Sequence, residues 1–204
     1  MAFSSITFLI AFLPLALLCY YLPSLKAKNI ILLLLSILFY SWGEPKNVSI
    51  LLISILVNYR AGLFLSDEKE NVFFKYRKYT LAISITLNVL LLFYFKYFGF
   101  GTRVLNELFG FLSIANIPIK DWILPIGISF YTFRSISYLI DIYRKPELVQ
   151  KNILDLGLYI TFFPQLLAGP ISRYDFFNEQ IANRTYNAIN FTQGIERFII
   201  GLSK

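Results

Sequence analysis

The sequence predicts an all-α, polytopic integral membrane protein, with about six transmembrane helices and additional interfacial amphipathic helices. Three observations predict it: apolar runs recur from Phe3 to Leu202, charged residues make up only 15% of the chain and gather between those runs, and the mean hydropathy is +0.62. A soluble domain of this length has one core in which to hide a long apolar helix, and the runs here exceed it. Each run must be helical, because an unpaired strand edge cannot face hydrocarbon.

The first run, Phe3 to Leu22, has no Lys or Arg before it and meets Lys26 only after it. A cleaved signal peptide carries its positive charge first, so this run reads as a retained span. Ile30 to Trp42 and Val48 to Leu65 follow, joined by Gly43-Glu44-Pro45-Lys46-Asn47. So short a turn makes the pair an antiparallel hairpin. Leu81 to Phe98 and Trp122 to Tyr143 approach or reach the length of about 20 apolar residues that a crossing demands. Between them, from Arg103 to Ile114, residues Val104, Leu105, Leu108, Phe109 and Leu112 share one helical face opposite Asn106 and Glu107. That pattern predicts a helix lying flat on the membrane. Ile153 to Ala168 is the sixth candidate span. A last helix is marked by Phe191, Ile195, Phe198 and Leu202, with Asn190 and Gln193 as its start signal, and it meets no stop signal before Lys204. No internal repeat and no low-complexity linker divides the chain.

The net charge of +7 invites a nucleic-acid reading, but the cations form no stripe. They flank apolar runs, and their asymmetry sets an orientation. With the amino terminus outside, the inner loops hold Lys26, Lys28, Arg60, Lys69, Lys75, Arg77, Lys78, Arg144, Lys145 and Lys151. The outer side as far as the fifth run holds Lys46, Lys96, Arg103 and Lys120. The chain is therefore expected in the cytoplasmic membrane with an extracytoplasmic amino terminus.

The sequence contains no histidine, which excludes histidine general-base catalysis and histidine metal ligation within these residues. Cys19 is the single cysteine and lies inside the first run, so it reads as a small buried hydrophobe. No Gly-rich phosphate loop or serine elbow is present. No catalytic residue and no metal ligand is assigned, and no cofactor is expected to be bound by this chain.

Arg134 stands near the middle of the fifth run, where insertion scales charge about 2.5–3.5 kcal/mol for an arginine. It must face protein or a watery cavity, either as a cation for a carbonyl, phosphate or carboxylate of a substrate, or as a structural partner for an acid or carbonyl of a neighbouring helix. Asp141, two turns on and about 10.5 Å further along the axis, cannot easily pair with Arg134; it is placed either to pair with Arg144 three residues away or for a catalytic role, and stands with Arg134 among the substrate-binding or cavity-lining candidates. In Phe162-Phe163-Pro164-Gln165-Leu166-Leu167-Ala168-Gly169-Pro170, Pro164 removes an amide donor inside an apolar helix and Gly169-Pro170 ends it. Such a break at membrane depth lines a cavity or kinks a packing helix. Pro164, Gln165, Gly169 and Pro170 are thus candidate cavity-lining residues. Arg173, followed by Tyr174, is a candidate for a sugar or phosphate, or an interfacial anchor.

Leu124-Pro125-Ile126-Gly127-Ile128-Ser129-Phe130-Tyr131-Thr132-Phe133, continuing through Ser137-Tyr138-Leu139-Ile140-Asp141-Ile142-Tyr143-Arg144, closely resembles the membrane-bound O-acyltransferase family, in particular its alginate O-acetyltransferase branch. Phe163-Pro164-Gln165-Leu166-Leu167-Ala168-Gly169-Pro170-Ile171 and the opening Phe3-Ser4-Ser5 with Phe8-Leu9 resemble the same branch. The resemblance implies an enzyme that moves an acyl group, often acetyl, to a hydroxyl of an extracytoplasmic polysaccharide or cell-envelope polymer. It also implies an acyl donor, acetyl-CoA or an acyl carrier, reached from the cytoplasmic side, and a carrier or downstream acetyltransferase protein as partner. Residues 1–204 are expected to be the amino-terminal part of a single transmembrane domain, an incomplete bundle cut short at its carboxyl end. Two departures stand out: Arg134 occupies a position where the family carries Gln or Glu, and the family's catalytic histidine lies in a later region. The resemblance therefore assigns scaffold and cavity-lining roles only. A transport or channel component, motivated by Arg134 and the broken helix, and a noncatalytic truncated membrane protein are the alternatives. In the latter, Asn88, Ser129 and Gln165 are expected to face lipid where further helices are missing.

Overall fold

The computed structural model describes residues 5–21, 25–66, 71–111, 124–167, 169–170, 172–184 and 187–203. Phe3, Ser4, Lys69, Leu112 to Ile114, Lys120, Trp122, Ala168 and Ile171, which entered the reading above, lie outside them, as do the side chains of Lys26, Lys75, Leu108 and Phe109. Every element of regular structure among the described residues is helical. A π-turn at Phe8–Phe12 leads into α1 (Leu13–Tyr21). Then come α2 (Leu25–Gly43), α3 (Val48–Ser66), α4 (Asn71–Phe111), α5 (Ile128–Arg144), α6 (Ile153–Thr161), α7 (Phe163–Leu166), α8 (Tyr174–Ala182) and α9 (Ala188–Leu202).

The short turn between α2 and α3 forms as its composition demands. Pro45 opens a 3-10 turn to Asn47, and Asn47 Nδ2 donates to Glu44 Oε2 at 2.6 Å. The arms of this hairpin hold α6 in their fork. Gly157 sits at this junction, where a Cβ would make only ordinary contacts, 3.4 Å from Leu33 Cδ1 and 3.9 Å from Ile55 Cγ2. On the other flank α5 packs against α3 and α4. Helices α5 and α6 are thus innermost, and Tyr131, Tyr138, Leu139, Ile142, Leu156, Tyr159 and Ile160 are all fully buried.

Contacts between distant segments collect at one end of this bundle. Arg77 donates to the Tyr143 carbonyl (3.0 Å), Tyr59 Oη to the Lys151 carbonyl (2.8 Å), and Asn29 Nδ2 to Asp155 Oδ1 (3.1 Å). The end therefore gathers Lys28, Arg77, Arg144, Lys145 and Lys151. Lys46 lies in the α2–α3 turn at the opposite end, where Gly43, Glu44, Ile126 and Leu167 line a common small pocket.

The membrane reading rests on where the apolar residues point. Two helices, Pro45–Ser66 and Tyr76–Glu107, are long and apolar enough to cross a bilayer, and only 11% of the latter's apolar window is buried. A core helix of a soluble protein would be mostly covered. Here Tyr79, Ile83, Leu87, Leu90 and Phe93 project outward from α4 instead. The chain is a helical membrane protein.

Four local expectations are corrected. The flat helix from Arg103 is not separate: α4 runs unbroken for 41 residues, about 60 Å. Gly99 and Gly101 lower helix propensity without terminating a helix that has no competing cap. The sixth run is not one span, because α6 stops at Thr161 and α7 restarts at Phe163. The last helix starts at Asn187 rather than Asn190, and the Asn187 side chain accepts the Ile189 amide at 2.9 Å. The fifth run turns helical only at Ile128, since Pro125 to Gly127 form a turn.

Candidate functional site

The break between α6 and α7 is the most elaborate polar feature of the buried bundle, and each of its parts has a local cause. Phe162 leaves helical geometry (φ −45°, ψ 107°), which turns the Phe163 amide away from Tyr159. That amide instead donates to Ser36 Oγ on α2 at 3.1 Å, while the same hydroxyl donates to the Leu32 carbonyl at 2.7 Å. Pro164 has no amide to give to Ile160. Two consecutive carbonyls, of Tyr159 and Ile160, are thereby left without helical partners in a buried, apolar setting, which costs about 1–3 kcal/mol per unsatisfied group.

Arg134 supplies the missing donors. Its Nη1 donates to the carbonyls of Tyr159 (3.0 Å) and Ile160 (3.4 Å). Its Nη2 donates to the Gln165 carbonyl (2.9 Å) and to Gln165 Oε1 (2.8 Å), so one planar fork spans both sides of the break. Gln165 Oε1 also accepts from Ser172 Oγ (2.9 Å), and Tyr159 Oη donates to the Ser172 carbonyl (3.0 Å). Arg134 is 1% exposed, and its Nε has no hydrogen-bond partner among the described residues.

Gly127 closes the structure from the other motif. Its φ of +73° is left-handed, and a Cβ there would come within 2.7 Å of the Leu166 carbonyl oxygen. The Pro125-Ile126-Gly127 turn and the Phe163-to-Leu167 segment, far apart in sequence, are therefore one packed unit.

Of the candidate residues, Arg134 and Gln165 are joined directly, in the structural-partner arrangement. The geometry removes the reason for a channel reading, because both guanidinium termini are taken up by protein oxygens. Pro164 is exposed at the first turn of α7 and Gly169 (φ +123°) and Pro170 are exposed beyond it. Asp141 does not pair with Arg144. Its Oδ2 accepts the Tyr174 amide at 3.2 Å, at the start of α8, with Arg173 and Arg144 near enough to act on its charge. The helix start wins because it offers an unsatisfied amide in fixed geometry, whereas the exposed Arg144 gains little from an interfacial pair. Arg173 is the exposed N-cap residue of α8.

Sequence reasoning missed Ser36, Tyr159 and Ser172 in this network. It also misplaced Asn88, which is 4% exposed and bonded to Asn58 in both directions, at 2.8 and 3.3 Å. A polar side chain in each of two adjacent apolar runs was the available signal. Ser129 and Gln165 are half-buried rather than lipid-facing. Among the described residues no group of three His, Cys, Asp or Glu could hold a metal.

The chain is thus a multi-helix membrane scaffold in which a buried arginine bridges a helix break. No family model matches the chain, and no solved structure matches it. Among curated proteins, it is 36% identical to the probable alginate O-acetylase of Pseudomonas putida over all 204 residues, which are 42% of that protein. It is 35% identical over 204 residues to the probable alginate O-acetylase of Pseudomonas aeruginosa (39% of that protein), and 29% identical over 234 aligned residues to the peptidoglycan O-acetyltransferase of Helicobacter pylori (43% of it). The chain spans about two fifths of the length of these relatives, their amino-terminal portion. It is thus homologous, across all its residues, to the amino-terminal portion of proteins named probable alginate O-acetylase.

Proposed function

We propose that this protein takes part in O-acetyl transfer to hydroxyls of an extracytoplasmic polysaccharide or related cell-envelope polymer. The observation that carries this reading is the similarity to two kinds of polysaccharide O-acetyltransferase over all or nearly all of the chain. Within it, α5, α6 and α7 serve as scaffold, and the Arg134 bridge fixes the broken helix so that its exposed side, at Pro164, Gly169 and Pro170, keeps a defined shape. The acyl donor is acetyl-CoA or an acyl carrier reached from the cytoplasm, and a carrier or second acetyltransferase completes the route. The chain sits in the cytoplasmic membrane with its amino terminus outside, a reading supported by the gathering of cations at one end of the bundle. These 204 residues have no histidine and supply no general base of that kind.

The test is expression of the complete gene in a bacterium deleted for its own envelope O-acetyltransferases, followed by mild alkaline release and quantification of ester-bound acetate from purified polymer. Acetate several-fold above the empty-vector control is expected, and residues 1–204 expressed alone release none above it. Membrane-inserted, full-length protein with no ester-linked acetate on any envelope polymer sinks the reading.

A further inference from the structure

A second feature lies on the opposite flank of the helix break. A cavity of ≈380 Å³ opens between α1, α2, α7 and α8, with Ala16, Leu32 and Phe163 at its buried floor. Leu17 and Pro164 are exposed at its side, so it opens laterally toward the apolar surroundings of the chain. The volume lies at the low end of ligand pockets, about 300–1,000 Å³. It admits a flexible chain but not a helix about 10–12 Å across.

Tyr20 and Arg184 line one end of this slot, and Lys28 meets the same ring from outside the lining. Lys28 Nζ lies 5.1 Å from the centroid of the Tyr20 ring and the Arg184 guanidinium 5.9 Å from the same ring, so two positive groups are gathered on one aromatic. Both are half-buried. Arg184 is held in place: Nε donates to the Gln180 carbonyl at 2.8 Å, and Nη2 donates to Asn29 Oδ1. Asn29 is fixed in turn by Asp155 Oδ1 (3.1 Å) and the Ile181 carbonyl (3.3 Å). The contacts that position Arg184 are to neutral oxygens, and Asp155 is shared with Asn152, whose Nδ2 donates to it at 2.9 Å. Positive charge is thereby concentrated at the edge of an apolar medium, where it attracts an anionic group. Tyr20 ends α1 and Lys28 lies in the first turns of α2, so this anion position is at the level where the helices leave the apolar layer.

We infer that the slot binds one molecule of an anionic bilayer phospholipid, with an acyl chain along Ala16, Leu32 and Phe163 and the headgroup phosphate at the end marked by Arg184 and the neighbouring Lys28. The inference rests on the membrane character of the chain and stands apart from the acetyl-transfer reading. The bound chain lies against Phe162, Phe163 and Pro164, on the outer side of the break that Arg134 bridges, so the lipid is a structural ligand of that segment.

Native mass spectrometry of the detergent-purified protein tests it, by titration with phosphatidylglycerol and phosphatidylcholine of equal chain length, and with glycerol phosphate. One phosphatidylglycerol is expected to bind at least tenfold more tightly than phosphatidylcholine, with glycerol phosphate failing to displace it. The double variant Lys28→Gln, Arg184→Gln keeps the apolar floor intact. It is expected to bring the two lipids within threefold of one another while leaving phosphatidylcholine affinity unchanged. Ala16→Phe fills the slot and is expected to weaken both lipids, and the charge variant reports on its own should Ala16→Phe fail to fold. Equal affinity for the two lipids in the natural sequence overturns the proposal. So does a preference that survives loss of both cations, or displacement by glycerol phosphate at lipid-like concentration.

Discussion

At the scale of single residues, Arg134 acts as a substitute for backbone. A lysine there keeps the charge but brings one ammonium on a flexible stem, where the guanidinium offers a planar fork to Tyr159, Ile160 and Gln165 together. Arg134→Met is expected to lower unfolding stability by about 3 kcal/mol or more, since several buried oxygens lose their donors at about 1–3 kcal/mol each. Arg134→Lys is expected to fall between Met and the natural residue. Thermal unfolding of the three proteins in one detergent checks this, and a Met variant within about 0.5 kcal/mol of the natural protein refutes it. Gly127→Ala combines a left-handed φ with a Cβ 2.7 Å from the Leu166 carbonyl, and is expected to cost about 1–3 kcal/mol in the same assay. The anomaly at Arg134 was legible in the sequence because arginine is costly in an apolar run. Its partners were not, because peptide carbonyls are the same at every position and only the fold says which ones lack an amide.

Between elements, polar pairs set which helices meet. Asn58 on α3 and Asn88 on α4 each also donate to a carbonyl one turn back, Ser54 and Ser84 at 2.8 Å, so the pair is fixed from both sides. In a membrane interior such bonds couple by about 0.6 kcal/mol on average and about 1.7 kcal/mol at most. A double-mutant cycle with Asn58→Leu and Asn88→Leu is expected to give a coupling in that range and of stabilising sign. Strict additivity of the two single changes would show that the helices associate by shape alone. The α6–α7 break was legible from Pro164, and the hairpin from its five-residue turn. The length of α4 was not, because two glycines and a change from apolar to mixed sequence look like a boundary when no neighbour is in view. The Asn187 cap was hidden for a similar reason: Asn187 and Asn190 both suit a helix start, and only the backbone path chooses between them.

For the whole molecule, the sequence conveyed the membrane character well, since hydropathy is a bulk property that outward-facing Ile83, Leu90 and Phe93 express directly. Sidedness is a finer matter, because it depends on which cations share an end. Arg77 bonded to the Tyr143 carbonyl, Tyr59 to that of Lys151, and Asn29 to Asp155 place the start of α2, the first turns of α4 and the segment after α5 together. The α2–α3 turn, with exposed Lys46, lies at the far end. Cytoplasmic loops collect Lys and Arg, so the crowded end faces the cytoplasm on the orientation proposed above. Removing the single cysteine by Cys19→Ser gives a background in which Lys46→Cys and Lys145→Cys place one thiol at each end. With a membrane-impermeant maleimide on intact spheroplasts, the Lys46→Cys protein is expected to label and the Lys145→Cys protein to label only after permeabilisation. The reverse pattern inverts the assignment, and labelling of both before permeabilisation refutes the bundle's crossing between these two positions. The reverse pattern would move the cationic mouth beside Tyr20 and Arg184 with it, because Lys28 shares the end that Lys145 marks.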